Sequence, residues 1–140
     1  MIDDLKLKFK YLEFEKLVRD KNPDTITASC GEAFFDIVSK DRKISLLKEK
    51  LVEEAMEVLN AKDKDETADE IGDVLDVLQQ LIKDLKIKKR LIRKSRRLKS
   101  KKRGKFKNGV YMHYVKFPRD INEDWMYKYK DITDKIVKNN

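Results

Sequence analysis

The spacing of apolar residues between positions 43 and 85 constrains the fold of this chain more than any other feature. In the first half of this stretch they recur at intervals of three and four, as Ile44, Leu47, Leu51, Ala55 and Val58. In the second half the repeat continues through Ile71, Val74, Leu75, Leu78, Leu81, Ile82 and Leu85. Such intervals are typical of helices that bury one face. The sequence therefore predicts one helix over about 43–59 and a second from about 66 to beyond 85.

A short polar segment, residues 60–67, separates the two predicted helices. Asp63 or Asp65 is placed to cap the second helix, and Ser39 or Asp41 to cap the first. Two long helices joined by a short loop pack as an antiparallel hairpin. Because the chain has only 4 Gly and 2 Pro, a turn-rich β-sandwich or barrel is disfavoured. We predict a mainly α fold.

The regions outside the hairpin have different patterns. Apolar and polar residues alternate over 5–11 and again over 110–115, which predicts a small two-stranded β element formed by the N- and C-terminal segments. A further basic helix is expected up to about Lys102, and a short helix in the tail over 118–140. The length of 140 residues suits a single domain spanning 1–140.

Charge is distributed unevenly along the chain. The net charge is +8, with 34 basic and 26 acidic residues. Residues 83–107 alone hold 15 basic residues and one acid, Asp84, so the remainder is acidic. A basic stretch of this kind is typical of contacts with nucleic acid. A nucleic-acid-binding helical module acting through 83–107 is therefore one functional hypothesis, and a purely structural helical oligomer is another.

Several classes of protein are disfavoured by the sequence. No apolar run approaches the roughly 18 residues needed to span a bilayer, so no membrane partner is expected. The first 14 residues show no secretory signal. The single cysteine, Cys30, cannot form an internal disulfide, and no Cys/His cluster suggests a zinc site. The expected localisation is cytoplasmic.

Carboxylates border the apolar stripe on both predicted helices. At about 100° per residue, Glu57 lies near 40° and Glu54 near 100° from Glu53. On the second helix the acids follow a spacing of three, as Glu70, Asp73 and Asp76. In a hairpin these two margins can meet across a groove, where like charges repel unless a cation lies between them. Carboxylates without His or Cys suit a hard cation, Mg²⁺ or Mn²⁺.

Three motifs then identify a family resemblance. LVEEAMEVL (51–59) followed by ADEIGDVLDVL (68–78) resembles the EExxE and ExxD motifs of the MazG-type all-α nucleoside triphosphate pyrophosphohydrolases. KLVRDKNP (16–23) is similar to the KLVRDKIP opening of one subgroup. RGKF (103–106) resembles that subgroup's RGGF element, with Lys105 in place of Gly. The motifs occur in the family's order and cover about residues 11–117.

The resemblance implies a hairpin that assembles into a four-helix-bundle-like core, as a homodimer or homotetramer. It implies Mg²⁺-dependent cleavage between the α- and β-phosphates of a nucleotide, giving a nucleoside monophosphate and pyrophosphate. Removal of non-standard nucleotides is one expected role. Phosphoribosyl-ATP pyrophosphohydrolase is a relative and an alternative assignment. The sequence does not distinguish which nucleotide is the substrate. Family membership favours contacts with substrate phosphates or a second subunit, rather than with nucleic acid, for part of 83–107.

The resemblance also assigns roles to individual residues. The metal ligands would be Glu53, Glu54, Glu57, Glu70 and Asp73. Glu54 and Glu70 would be catalytic, with Glu70 acting as a ligand or as the base that orients water. The substrate-binding residues would be Lys16, Arg19, Lys21, Arg103 and Lys105, which clamp phosphates, and Asp20, which orients the cations of the N-terminal segment.

Overall fold

Four helices account for the regular structure of residues 8–120, the part of the chain that the computed structural model describes. They are α1 (Asn22–Ala28), α2 (Lys40–Asn60), α3 (Lys64–Asp84) and α4 (Lys89–Arg103). No strand occurs within this range. The prediction of a mainly α fold is therefore confirmed. Among the described helices, none has an apolar stretch long enough to cross a bilayer.

Side-chain N-caps determine where α2 and α3 begin. Ser39 caps α2, where its hydroxyl accepts a hydrogen bond from the backbone N–H of Arg42 at 3.2 Å. Asp63 caps α3 and accepts from the backbone N–H groups of Asp65 and Glu66 at 3.0 and 2.8 Å. Such bonds satisfy N–H groups that have no partner inside the helix. Both predicted helices are confirmed, and each begins two or three residues earlier than the sequence indicated.

The end of α3 also differs from the expected position. The helix was expected to continue beyond Leu85, but its last helical residue is Asp84. Lys86 has a positive φ of 53°, and the N–H of Ile87 donates to the carbonyl of Ile82 at 2.9 Å. This bond, with the N–H of Lys86 on the carbonyl of Lys83, forms a Schellman motif that stops the helix. The predicted basic helix then follows as α4.

The buried core lies between α2 and α3. Leu47, Val77 and Leu81 are buried, and Leu17, Ile44 and Leu51 pack against them. The opposite faces of both helices carry apolar residues that stay 36–64% exposed, namely Val52, Met56, Ile71, Leu75 and Leu78. The sequence pattern had placed Ile71, Leu75 and Leu78 in a buried stripe. Within residues 8–120, this face of the hairpin is instead uncovered.

The small β element is not confirmed. Residues 110–115 have no regular secondary structure, and Tyr111 and Tyr114 are more than four-fifths exposed. Residues 8–11 are also irregular, while the rest of the predicted N-terminal strand lies outside the described residues. A strand needs a neighbouring strand to pair its N–H and C=O groups, and no such ladder forms over 8–120. The predicted tail helix falls beyond residue 120, outside the described range.

The chain divides into two compact units, Met1–Lys101 and Lys102–Asn140. The first unit contains α1, α2, α3 and most of α4. The second contains the last two residues of α4 and the RGKF segment, in which Gly104 has a φ of 79°. The expectation of a single domain over 1–140 stays a prediction.

Candidate metal centre

Three carboxylates from the hairpin converge at one point of the first unit. Glu54 and Glu57 come from α2, and Glu70 comes from the first half of α3. One carboxylate oxygen from each residue lies within 4.8 Å of those of the other two, close enough to share a metal ion. The antiparallel hairpin produces this arrangement because it brings the end of α2 beside the beginning of α3. We call these residues the open cluster.

Glu54 is the buried member of the open cluster. It is only 4% exposed and lies among the residues of α2 that face α3. One oxygen, Oε1, accepts from Lys50 Nζ at 2.9 Å. The other, Oε2, is buried and has no hydrogen-bond partner among the residues described. A buried carboxylate oxygen without a donor is costly, and a bound cation would satisfy it.

The pKa of Glu57 is shifted by the neighbouring carboxylates. The main factor that raises the pKa of Glu57 is a hydrogen bond with Glu54 that forms only when the two carboxylates share a proton, followed by desolvation and by the charges of Glu54, Glu70 and Glu53. A raised pKa means that the negatively charged form is disfavoured at this position. Either a proton or a metal ion relieves that repulsion. Since the donors are all carboxylate oxygens, the open cluster fits a hard divalent cation.

Neighbouring carboxylates on the same margins are neutralised by the chain itself. Glu53 Oε1 lies 2.6 Å from Lys16 Nζ and 3.2 Å from Lys50 Nζ. The hydrogen bond from Lys16 is the main cause of the lowered pKa of Glu53. Burial lowers the pKa of Lys50, but its hydrogen bonds to Glu54 and Glu53 outweigh this effect and the pKa is raised.

Arg19 neutralises two acids of α3 at once. Its Nη2 donates to Asp73 Oδ1 at 2.6 Å and its Nη1 donates to Asp76 Oδ2 at 2.9 Å. These hydrogen bonds, first to Asp76 and then to Asp73, raise the pKa of the guanidinium. The planar fork of Arg suits two acceptors at fixed spacing. We call Glu53, Asp73 and Asp76 the paired group.

The five predicted metal ligands are therefore found in two different environments. Glu54, Glu57 and Glu70 are brought together, whereas Glu53 and Asp73 lie against Lys16 and Arg19. These two cations were expected to bind substrate phosphates, and within residues 8–120 they instead contact the chain's own carboxylates. The sequence indicated both sets of residues but not this pairing.

The other predicted substrate-binding residues are more dispersed. Asp20 lines the cavity described below. Lys21 is exposed and precedes α1, where its carbonyl accepts from the N–H of Thr25 at 3.0 Å. Arg103 is the last residue of α4, and Lys105 follows Gly104. Both are exposed and belong to the second unit.

A cavity of about 950 Å³ lies beside Glu54 in the first unit. The paired Asp73 and Asp76 line it together with Arg19 and Asp20. Its wall also includes Lys43 and Lys50, which the sequence reasoning did not select, and four residues of the basic stretch 83–107, namely Lys83, Lys86, Lys88 and Lys89. Lys43 and Lys50 lie on the same face of α2 as Leu47, at spacings of four and three residues. Their position beside the core could therefore have been predicted from the helical repeat. The volume is within the range of small-molecule sites in proteins.

Comparisons of this chain with protein-family models, with curated proteins and with solved structures gave no significant match. The resemblance to MazG-type enzymes thus depends on the motifs quoted above.

Proposed function

We propose that this protein is a Mg²⁺-dependent nucleoside triphosphate pyrophosphohydrolase. It would cleave the bond between the α- and β-phosphates and release a nucleoside monophosphate and pyrophosphate. The observation that carries the proposal is the buried, unpartnered Oε2 of Glu54 within the open cluster. All three members of the open cluster belong to the EExxE and ExxD motifs, which makes an accidental cluster of surface acids a weaker explanation.

In this proposal the open cluster holds the metal ion. Mg²⁺, or Mn²⁺ in its place, would bind phosphate oxygens and offset the charge that develops on the leaving pyrophosphate. Glu54 is fixed by Lys50 at 2.9 Å, so its second oxygen is held in place for a ligand. Glu70 is half-buried at the margin of the hairpin, where it can accept a hydrogen bond from the attacking water.

Substrate binding would involve an exchange of ion-pair partners. Lys16 and Arg19 contact Glu53 and Asp73, and a triphosphate offers both cations a more highly charged partner. Once they turn to phosphate oxygens, Glu53 and Asp73 become available as additional metal ligands. Both pairs are solvent-exposed, so breaking them costs on the order of 1 kcal/mol or less each.

The cavity supplies the remaining contacts for a nucleotide. Its basic wall, including Lys43 and Lys83, is suited to phosphate oxygens. Asp20 also lines the cavity, and Lys21 follows it in the sequence. Arg103 and Lys105 stay proposed phosphate contacts on the basis of the motif alone.

The uncovered apolar face of the hairpin supports the oligomeric part of the proposal. Val52 on α2 and Leu75 on α3 are 64% and 51% exposed. Burying such side chains gains about 25 cal/mol for each Å² of apolar surface removed from water. A second hairpin packed on this face would complete a four-helix bundle, as a homodimer or within a homotetramer.

The proposal is tested by measuring pyrophosphate release from a panel of nucleotides, with Mg²⁺ and with EDTA. The panel includes the common dNTPs, dUTP, oxidised and deaminated nucleotides, and phosphoribosyl-ATP. We expect Mg²⁺-dependent release of pyrophosphate by the wild type and its loss in Glu54→Ala. Preferred hydrolysis of phosphoribosyl-ATP would select the alternative assignment.

Glu49→Ala is the matched control, because Glu49 is an exposed glutamate on α2 outside both groups of acids. It should retain activity. Equal rates in wild type and Glu54→Ala would contradict the proposal. Release of inorganic phosphate instead of pyrophosphate would contradict cleavage at the α–β bond.

A further inference from the structure

The most highly charged surface of the molecule is α4. Ten of its 15 residues are Lys or Arg and none is acidic. All ten of these basic side chains are exposed. This charge is far more than one triphosphate requires, and the proposed hydrolysis uses only the two ends of the helix, Lys89 in the cavity wall and Arg103.

The basic residues from Lys89 to Lys102 have no acidic partner in the described part of the chain. The nearest acid in sequence, Asp84, lies 2.8 Å from Lys43. Basic residues at spacings of three and four, such as Arg93, Arg96 and Arg97, repel one another by a few tenths of a kcal/mol per pair. A polyanion bound along α4 would remove that repulsion.

The arrangement of charge around α4 indicates the shape of the polyanion. At about 100° per residue, the ten basic side chains occupy an arc of roughly 280°, and Leu91 and Leu98 lie together in the remaining arc. A flat surface would contact only part of such an arc. A ligand that surrounds the helix on two sides can contact most of it.

We propose that α4 binds duplex DNA by lying in the major groove, without sequence selectivity. The groove is about 12 Å wide and has phosphates on both walls, which matches a helix whose diameter with side chains is about 10–12 Å. The ten cations are spread over about 22 Å of helix, or one in roughly 2 Å, against one DNA phosphate charge in about 1.7 Å. Contacts from these cations to the phosphates carry no sequence information.

Other polyanions fit α4 less well. Single strands are held mainly by stacking on aromatic rings, and α4 has no aromatic residue. The major groove of duplex RNA is too deep and narrow for a helix. An anionic membrane favours a broad apolar face that includes aromatic residues, whereas the apolar residues of α4 are only Leu91, Ile92 and Leu98.

The test is fluorescence anisotropy of the full chain with a labelled duplex of random sequence, titrated between 50 and 200 mM salt. The variant Arg93→Gln/Arg96→Gln/Arg97→Gln removes the centre of the basic arc, and Gln is a good helix former. Losing three phosphate contacts should reduce the slope of log K against log salt by about 2.7. Over this salt range the wild type would then lose about 40-fold more affinity than the variant.

Two further variants separate the location of the charge from its amount. Lys48→Gln/Lys62→Gln/Lys64→Gln removes the same charge from exposed positions outside α4 and should keep the wild-type slope. Arg93→Lys/Arg96→Lys/Arg97→Lys keeps the charge on α4 and should also have the wild-type slope of log K against log salt. Circular dichroism of each variant reports whether the helices remain.

The outcomes distinguish the alternatives. If the slope of log K against log salt falls equally in both Gln variants, only the net charge of the protein matters, and the proposal is overturned. Tighter binding to single-stranded DNA, to duplex RNA or to phosphatidylserine vesicles than to duplex DNA would overturn it in favour of that ligand. No binding by the wild type at 50 mM salt would also overturn it. Because the assay contains no nucleotide, its failure leaves the proposed hydrolysis unaffected.

Discussion

The open cluster and the paired group lie on the same margins of the same two helices, yet the chain treats them differently. In the paired group, Lys16 and Arg19 make contacts of 2.6–2.9 Å with Glu53, Asp73 and Asp76. Within residues 8–120, only one cation, Lys50, forms an ion pair with a member of the open cluster, and that member is Glu54. The chain thus neutralises one set of acids and leaves the other crowded.

This difference shows where an external cation has most to contribute. A metal ion at the paired group must first displace Lys16 or Arg19, and so gains little over the existing ion pairs. A metal ion at the open cluster replaces repulsion with attraction and satisfies a buried oxygen. We therefore expect a metal ion to bind more strongly at the open cluster, with the paired group supplying additional ligands only after Lys16 or Arg19 has moved away.

The largest expected effect is on catalysis. Glu70→Gln keeps the size of the side chain but removes a charge from the open cluster, and should lower the rate of pyrophosphate release by at least about 100-fold. Asp76→Asn removes a charge from the paired group and should lower the rate of pyrophosphate release by less than about tenfold, since the ion pair between Arg19 and Asp73 remains. The measurement is kcat/KM at saturating Mg²⁺. Similar losses in both variants would remove the distinction between the two groups.

The next effect is on stability and needs no substrate. A ligand that binds only the folded state stabilises it by about 2.7 kcal/mol at 100 times its Kd. We expect Mg²⁺ to raise the Tm of the wild type and of Asp76→Asn, but not that of Glu54→Gln. The readout is thermal unfolding over a Mg²⁺ titration. A Mg²⁺ response that survives in Glu54→Gln would place the ion elsewhere.

A smaller effect should follow from opening the paired group. Arg19→Gln removes the partner of Asp73 and Asp76. Since Arg19 is 59% exposed, the metal-free protein should lose at most about 1 kcal/mol of unfolding free energy. The stabilisation by Mg²⁺ should increase, because Asp73 becomes available as a ligand. Lys48→Gln is the control for the loss of one positive charge, and an equal Mg²⁺ response in both variants would contradict this role for Arg19.

Local signals were sufficient to predict much of the hairpin. The spacing of apolar residues located α2 and α3, and the caps at Ser39 and Asp63 were among the two candidates considered for each helix. The end of α3 was missed because a Lys, rather than a Gly, adopts the left-handed conformation at position 86. Such a site is uncommon for a residue with a side chain, so the sequence contains no signal for it.

The pairing of the acids could not be predicted in the same way. Helical phase placed the carboxylates beside the apolar stripe, but Lys16 is 37 residues from Glu53 and Arg19 is 54 from Asp73. These contacts depend on how residues 16–19 pack on the hairpin, which no local pattern encodes. The ion pairs of Lys50 could have been predicted from the sequence, since Lys50 precedes Glu53 and Glu54 by three and four positions on the same helix.

The smallest expected effect is a difference in pH dependence between the two groups, measured on metal-free protein. Glu57 has a raised pKa when folded, so its contribution to stability is present below its ordinary pKa of 4.5 and is lost as the pH rises through the folded value. Glu53 has a lowered pKa. Its contribution is present above 4.5 and is lost as the pH falls through the folded value.

Substitution by Gln should therefore change the pH profile in opposite directions. As the pH falls from about 7 toward 4.5, the wild type should gain unfolding free energy relative to Glu57→Gln, because only the wild type takes up the shared proton. Relative to Glu53→Gln, the wild type should be more stable at about pH 7, and this advantage should disappear as the pH falls below 4.5. Urea unfolding in EDTA measures both differences. Because the two side chains are only four residues apart on α2, a shared direction would mean that position on the helix, rather than the presence of Lys16, sets their electrostatics.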